Sequence, residues 1–238
     1  MFLMRFIAVT CCLVALSPLA VRGQEEAVAS CPPLDEIRAE AARATPQAYA
    51  VTRDYTDNRG DTRHRRARFD PRRDAANAWS LEQRNKAAPG EKFLRKYSKD
   101  PPPPPPSYAR VAAVLAGEAQ CVEADDARAV YAVDRLGAGA ILLDGDDISA
   151  HFSARVTVDR AAAQPYVSAV HFSLESPFKA HFLVRITEAE GSVVFARRGP
   201  GSPVILSQEF VASGSKPFGS FDYETRSSFS DHAPVAAP

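Results

Sequence analysis

Between Ile148 and Asp159 the chain alternates without a break. Ile148, Ala150, Phe152, Ala154, Val156 and Val158 are apolar, while Ser149, His151, Ser153, Arg155, Thr157 and Asp159 are polar. A period of two predicts one β-strand with an oily face and a wet face. Similar stripes recur downstream. Tyr166, Val170, Phe172 and Leu174 form one within 165–175, and Phe182, Val184 and Ile186 another within 181–190. Val204, Leu206 and Phe210 follow within 203–212. Phe221, Tyr223, Thr225 and Phe229 close the series within 220–229, opposite Asp222, Glu224 and Arg226. With segments 127–136 and 192–198 these make six or seven strands. Their links, such as "RAAAQ", "SPFKA", "RGPGS" and "SGSKPFG", are short, as in an antiparallel meander. A broad sheet with one apolar face must curl into a barrel, pair with a second sheet or be covered by helices.

The upstream half is patterned differently. Pro33 opens a predicted helix with Leu34, Ile37 and Ala41 on one face, and Pro46 ends it. Segments 49–55 and 64–71 pair as a hairpin around a 57–61 turn, and 78–83 supplies a third strand. A short charged helix is predicted over 88–100, with Phe93, Leu94 and Tyr97 as its apolar grip. Pro101 to Pro106 then form a stiff polyproline II spacer rather than a docking motif, because proline-reading modules are mainly cytosolic. Ser107 can cap a helix over 107–118, with Tyr108, Val111, Ala112 and Leu115 at helical spacing. These helices are few and weakly apolar. They cover the sheet only in part, which points to an open hydrophobic hollow.

The first residues change the compartment. Arg5 precedes an apolar run from Phe6 to Ala20, and Val21-Arg22-Gly23 suits cleavage before Gln24. The run falls short of the ~20 residues of a membrane span. Val28-Ala29-Ser30-Cys31 looks like a lipidation box, but Arg22, Glu25 and Glu26 separate it from the run. The expectation is a periplasmic protein with a signal peptide at 1–23, a flexible segment at 24–32, one domain at 33–231 and a disordered tail at 232–238. Cys31 and Cys121 would remain after cleavage, and an oxidising compartment favours a disulfide between them. The alternative is two separate buried thiols. The chain carries 29 Lys and Arg against 29 Asp and Glu, which argues against a dedicated nucleic-acid binder.

Candidate chemistry is sparse. Segment 142–149 is acidic, but measured from Asp144 it puts Ile148 fifth and Arg155 twelfth, against the calcium-loop pattern. Asp144-Gly145 reads instead as a tight turn. His64, His151, His171, His181 and His232 have no second ligand at close metal spacing. Ser176–Lys179 and Ser213–Lys216 match the letters of a Ser-x-x-Lys nucleophile, yet both fall in predicted strand connections. No cofactor is expected, and nothing favours an enzyme. Eight arginines lie between Arg53 and Arg73 against Asp54, Asp57, Asp61 and Asp70. They would either attract anionic headgroups or form a solvated hairpin surface.

An export signal, an N-terminal helix, a hairpin leading into Arg68-Phe69-Asp70-Pro71, then Trp79 and a helical insertion before a long meander resemble the LolA-like half-barrels. That group includes the periplasmic lipoprotein carrier. The likeness is greatest to secreted bacterial members that share the Phe-Asp-Pro…Trp segment and the strand "DGDDISAHFSARVTVD". The resemblance implies an α+β fold that is mainly β: a curved antiparallel meander forming a half-barrel with a helical lid. It also implies an acyl-chain-sized hollow. The strand parities then nominate Phe152, Val156, Val170, Phe172, Phe182, Val184, Phe210, Phe221 and Tyr223 as lining residues, with Tyr108 and Leu115 in the lid. The expected function is binding and carriage of lipid or lipoprotein acyl chains, without chemistry, by a monomer. An envelope membrane protein is a further partner to consider. The rival readings are an envelope interaction module with a sealed core and, third, an unrecognised hydrolase.

Overall fold

The computed structural model describes residues 30–57, 60–74, 77–99, 101–102, 106–143, 145–181, 183–199 and 201–235. The expected leader, the segment 24–29 and the middle of the proline spacer, Pro103–Pro105, lie outside them. Among the described residues no helix is long and apolar enough to cross a membrane.

The fold is mostly antiparallel β-sheet with three short helices. Helix α1 spans Leu34–Ala42, with Asp35 and Glu36 in its first turn, where the helix dipole favours them. It buries Ile37 and Ala41. Strands β1 (Gln47–Asp57), β2 (Thr62–Phe69) and β3 (Trp79–Arg84) form the N-terminal hairpins. Here the Phe-Asp-Pro…Trp segment finds its physical reason. Phe69 pairs in register with Trp79, their ring centroids 5.0 Å apart, and Tyr49 stacks on Phe69 at 5.4 Å. Asp70 accepts the Arg72 backbone amide and a two-pronged guanidinium contact at 2.8 Å, which holds its carboxyl down to about 2 and closes the turn.

Helix α2 (Glu91–Lys99) follows. A 3-10 turn at Tyr108–Arg110 then runs into α3 (Val111–Val114). The helix expected over 107–118 is thus much shorter, and Ser107 makes no side-chain cap. The chain turns into β4 (Ala119–Ala124), a strand the pattern did not announce. As an exposed edge strand it has no apolar face to betray it.

Strands β5 (Arg128–Val133), β6 (Leu142–Leu143), β7 (Asp146–Asp147), β8 (Phe152–Asp159), β9 (Tyr166–Leu174) and β10 (Phe178–His181) come next. β11 (Val184–Ala196), β12 (Val204–Lys216) and β13 (Gly219–Pro234) complete the chain. One open sheet runs β3-β2-β1-β13-β12-β11-β9-β8-β5-β4, with β10 beside β11, and β6 and β7 form a separate two-stranded ribbon. The first strand therefore lies against the last. Buried side chains from both ends of the order, Trp79 and Leu81 at one and Tyr131 and Val133 at the other, share one core cluster with α1 and α3.

Several boundaries and parities need correction. β8 begins at Phe152, because 149–151 form a 3-10 turn with Ser149 buried and Ala150 exposed. Ser149 is drawn in by hydrogen bonds to Asp147 and to the Ile141 backbone. The two strands expected over 181–198 are one, β11, running through Gly191. The "SPFKA" link holds β10, and the "SGSKPFG" link is strand as far as Lys216. Two bulges flip parity. Opposite β11 the register skips Leu206, so Ile205 is buried beside Val204 while Leu206 is only partly buried. Opposite β8 it skips Ser168, so Val167 is fully buried. The tail expected to be disordered from 232 is strand to Pro234, tied by Val235 N–H to the Pro46 carbonyl. Cys31 is joined to Cys121 by a disulfide closing 90 residues, and Tyr131 donates to the Pro32 carbonyl at 2.5 Å. Both pin the segment before α1 to the sheet.

Candidate functional site

The inner face of the sheet is ordered in rows, because paired residues on neighbouring strands point the same way. One row reads Arg84, Arg65, Arg53, Ser227, Gln208, Val193, Val170, Val156 and Tyr131, from β3 to β5. The next reads Tyr55, Thr225, Phe210, Gly191, Phe172, Ala154 and Val133. The first row is basic and polar towards β1 and aliphatic towards β8. Over their middle lies a cavity of about 490 Å³, partly open to solvent. That size is usual for small-molecule sites, ~300–1,000 Å³.

The cavity has four sides. The sheet contributes Val170, Phe172, Val193, Phe195, Phe210 and Tyr223. The 107–114 segment adds Val111, Val114 and Arg110, and the β6–β7 ribbon with its flanks adds Ile141, Leu143 and Ile148. The fourth side is polar: Arg53, Ser227, Gln208 and Thr225. Gly191 makes the room. A Cβ there would lie 2.9 Å from the Phe210 ring, and its row neighbours on both sides are phenylalanines.

Two arginines sit within this wall in an unusual electrical setting. The Arg53 Nε donates to the buried Ser227 hydroxyl at 3.0 Å. Among the described residues no carboxylate stands within ion-pair distance of Arg53 or Arg110. The outward Arg66 and Arg68, by contrast, both pair with Glu82. Burial pushes the pKa of Arg53 and Arg110 down, though an arginine stays cationic at neutral pH. Behind Arg53, Arg65 and Arg84 are capped by the Phe93 ring of α2, at 5.6 and 4.3 Å.

The nominated lining residues separate into groups. Val170, Phe172, Phe210 and Tyr223 are on the cavity wall. Phe152 and Val156 are sealed in the core, and Val184 and Phe221 are partly buried away from the cavity. Phe182 lies outside the described residues. The lid pair is also off the wall. Leu115 is buried, and Tyr108 packs edge-on against Phe195 while its hydroxyl oxygen accepts the Val167 N–H at 3.0 Å. The segment is clamped from behind as well. Gly137 donates to the Ala113 carbonyl and lies too close to it for any side chain, a Cβ falling 2.4 Å away. The residues that do face the cavity from this segment are Ser107, Arg110, Val111 and Val114. Arg53 was legible: it shares the parity of Val51 and Tyr55, an arginine set in an apolar stripe. Arg110 and Gly191 carried no local signal.

The other chemical candidates are occupied otherwise. The acidic segment forms the β6–β7 ribbon, and Asp147 accepts from the Gly139 amide and from the Ser149 amide and hydroxyl. His64 is held by Asp54 at 2.7 Å, His232 by the Ile205 carbonyl, and His151 stacks on Phe178. Ser213 lies within β12 and donates to Glu188, so that Ser-x-x-Lys is strand, not turn. No family model, curated protein or solved structure matches the chain.

Proposed function

We propose that this chain binds a lipid or acyl chain within its hollow and carries it without transforming it. The observation behind this reading is the cavity of about 490 Å³ whose walls include Val111, Val114, Ile148, Val170, Phe172 and Phe210. In this reading the open sheet acts as a half-barrel, its inner face wrapped round the guest, and the 107–114 segment closes one side. Each sequestered methylene contributes ~0.8 kcal/mol, so a long chain is held through area alone. The reading places the protein in the periplasm as a soluble carrier, in keeping with the signal peptide expected at 1–23. An interaction module with a sealed core fits less well, since the interior has an unfilled space. A hydrolase would need a nucleophile and base together within the cavity, and the serine and carboxylate that border it on facing strands, Ser192 and Glu209, belong by parity to the opposite face of the sheet.

The test is saturable uptake of a fluorescent fatty acid by delipidated protein. Gly191→Val, which grows a side chain into the middle of the cavity, is expected to weaken uptake at least several-fold while the far-ultraviolet circular dichroism is retained. Absence of saturable uptake by the unaltered protein overturns the carrier reading.

A further inference from the structure

The carrier reading leaves the chemistry of the guest open, and the walls of the cavity are not electrically uniform. Its floor changes character across the sheet. On β1, β13 and β12 it presents Arg53, Ser227 and Gln208; on β11 and β9 it presents Val193 and Val170, with Phe172 alongside. Arg110 descends from the covering segment into the same cavity. Four strand intervals separate β1 from β9, roughly 19 Å along the sheet at ~4.8 Å each.

Two cations facing a mostly apolar space are costly unless something answers them. Among the described residues Arg53 and Arg110 have only neutral partners. Arg53 has the Ser227 hydroxyl, and its row neighbour Arg65 is a third cation. Glu209 borders the cavity, but it is exposed, and its side chain belongs to the opposite face from Gln208 and Phe210. Tyr97 lies within electrostatic reach of Arg53 and Arg65, and burial raises its pKa, so it brings a neutral hydroxyl and not a charge. The unmatched positive charge and the apolar remainder lie at opposite ends of one cavity.

Resting on the carrier reading, we infer that the cavity takes a single-chain anionic amphiphile. Its carboxylate or phosphate is held by Arg53 and Arg110, and its tail runs towards Phe172, Val170 and the β6–β7 ribbon. Guanidinium groups match both oxyanions through paired N–H donors, and Ser227 and Gln208 offer further neutral contacts beside Arg53. The phenylalanines flanking Gly191 grip the tail. Neutral lipids of the same length satisfy the tail region but leave both cations unanswered.

The experiment is calorimetric titration of the delipidated chain with oleic acid, oleoyl lysophosphatidic acid and oleyl alcohol, each below its aggregation concentration. At least one of the two anions is expected to bind roughly tenfold or more tightly than the alcohol, about 1.4 kcal/mol. Whichever is tighter, fatty acid or lysophosphatidic acid, identifies the headgroup. In Arg53→Gln/Arg110→Gln the preference for the anion is expected to vanish while alcohol binding is unchanged. The variant's denaturation midpoint should not fall, because an unanswered cation has been removed. Equal binding of all three ligands by the unaltered protein, or parallel loss of acid and alcohol in the variant, overturns the inference and leaves the carrier reading standing. Binding of none of the three removes both.

Discussion

At the scale of single residues, polar atoms with one partner each hold the cover in place. The Tyr108 oxygen is a buried acceptor for the Val167 amide, and burial raises the pKa of its hydroxyl well above the ordinary tyrosine value. Tyr108→Phe leaves that amide without a partner, which costs roughly 1–3 kcal/mol. The expected outcome is a lower denaturant midpoint with an unchanged slope, measured by equilibrium unfolding. His232 gives a pH signature. Burial lowers its pKa from 6.5, and its Nε2–H donates to the Ile205 carbonyl at 2.7 Å while Nδ1 is buried with no partner among the described residues. The folded chain therefore takes up this proton less readily than the unfolded chain. The stability it contributes is complete above pH ~6.5 and is lost as pH falls through the lower folded value. Thermal melts should drop between pH 7 and 5, before most carboxylates titrate, and His232→Gln should flatten that part of the profile. An unaltered slope in the variant would remove His232 from the account. Little of this was readable beforehand. Tyr108 stood out as apolar at helical spacing, but its bond reaches Val167, 59 residues away. Val167 itself faces inward only because of the bulge at Ser168.

Among the elements, the strands were legible where one face is oily and the other wet. β8, β9, β12 and β13 announce themselves in this way, and the hairpin of β1 and β2 is marked by its turn. The failures have physical causes. β4 is an edge strand exposed on most of its length, so its composition reads as loop. The helix expected over 107–118 ends at Val114, and at Gly117 the chain already meets the Arg135 backbone, a Cβ falling 1.7 Å from that carbonyl oxygen. Long-range packing decides this, and helical periodicity cannot see it. The segment before α1 depends on a covalent tie. Cys31 is bonded across to β4, the outermost strand on that side, and the loop so closed spans 90 residues. Loss of such a bond costs roughly 2–5 kcal/mol in small secreted domains. Cys31→Ser/Cys121→Ser should melt earlier by several degrees, and faster hydrogen exchange should be concentrated in 30–42 and 119–124. Uniform acceleration across the sheet would show instead that the tie stabilises the whole domain evenly.

For the whole molecule, the open sheet order sets the central fact. The N-terminal hairpins are added beside the last strand, so the arginines of β1 to β3 continue the rows laid down by the meander. That adjacency puts part of an arginine-rich hairpin, which in sequence suggested either attraction to anionic headgroups or a solvated surface, at one pole of an inner wall. The outward Arg66 and Arg68 are neutralised by Glu82 and Arg72 by Asp70, while Arg63, beside Tyr55 on the inner face, pairs with Asp57. Of the nominated lining residues, those on the cavity wall lie near the middle of the sheet. Phe152 and Val156 lie in solid core. Strand parity identifies which face a residue occupies, but not whether that stretch of the face is covered. Coverage depends on where α1, α3 and the β6–β7 ribbon come to rest.

The most direct measurement is a crystal structure of the delipidated chain soaked with a fatty acid brominated at its tail terminus, read by anomalous scattering. The account predicts one bromine peak near Val170, Phe172 and Ile148, with carboxylate density between the Arg53 and Arg110 guanidinium groups. A bromine on the outer surface, a reversed acid with its carboxylate at the ribbon, or an empty cavity at saturating ligand would contradict it.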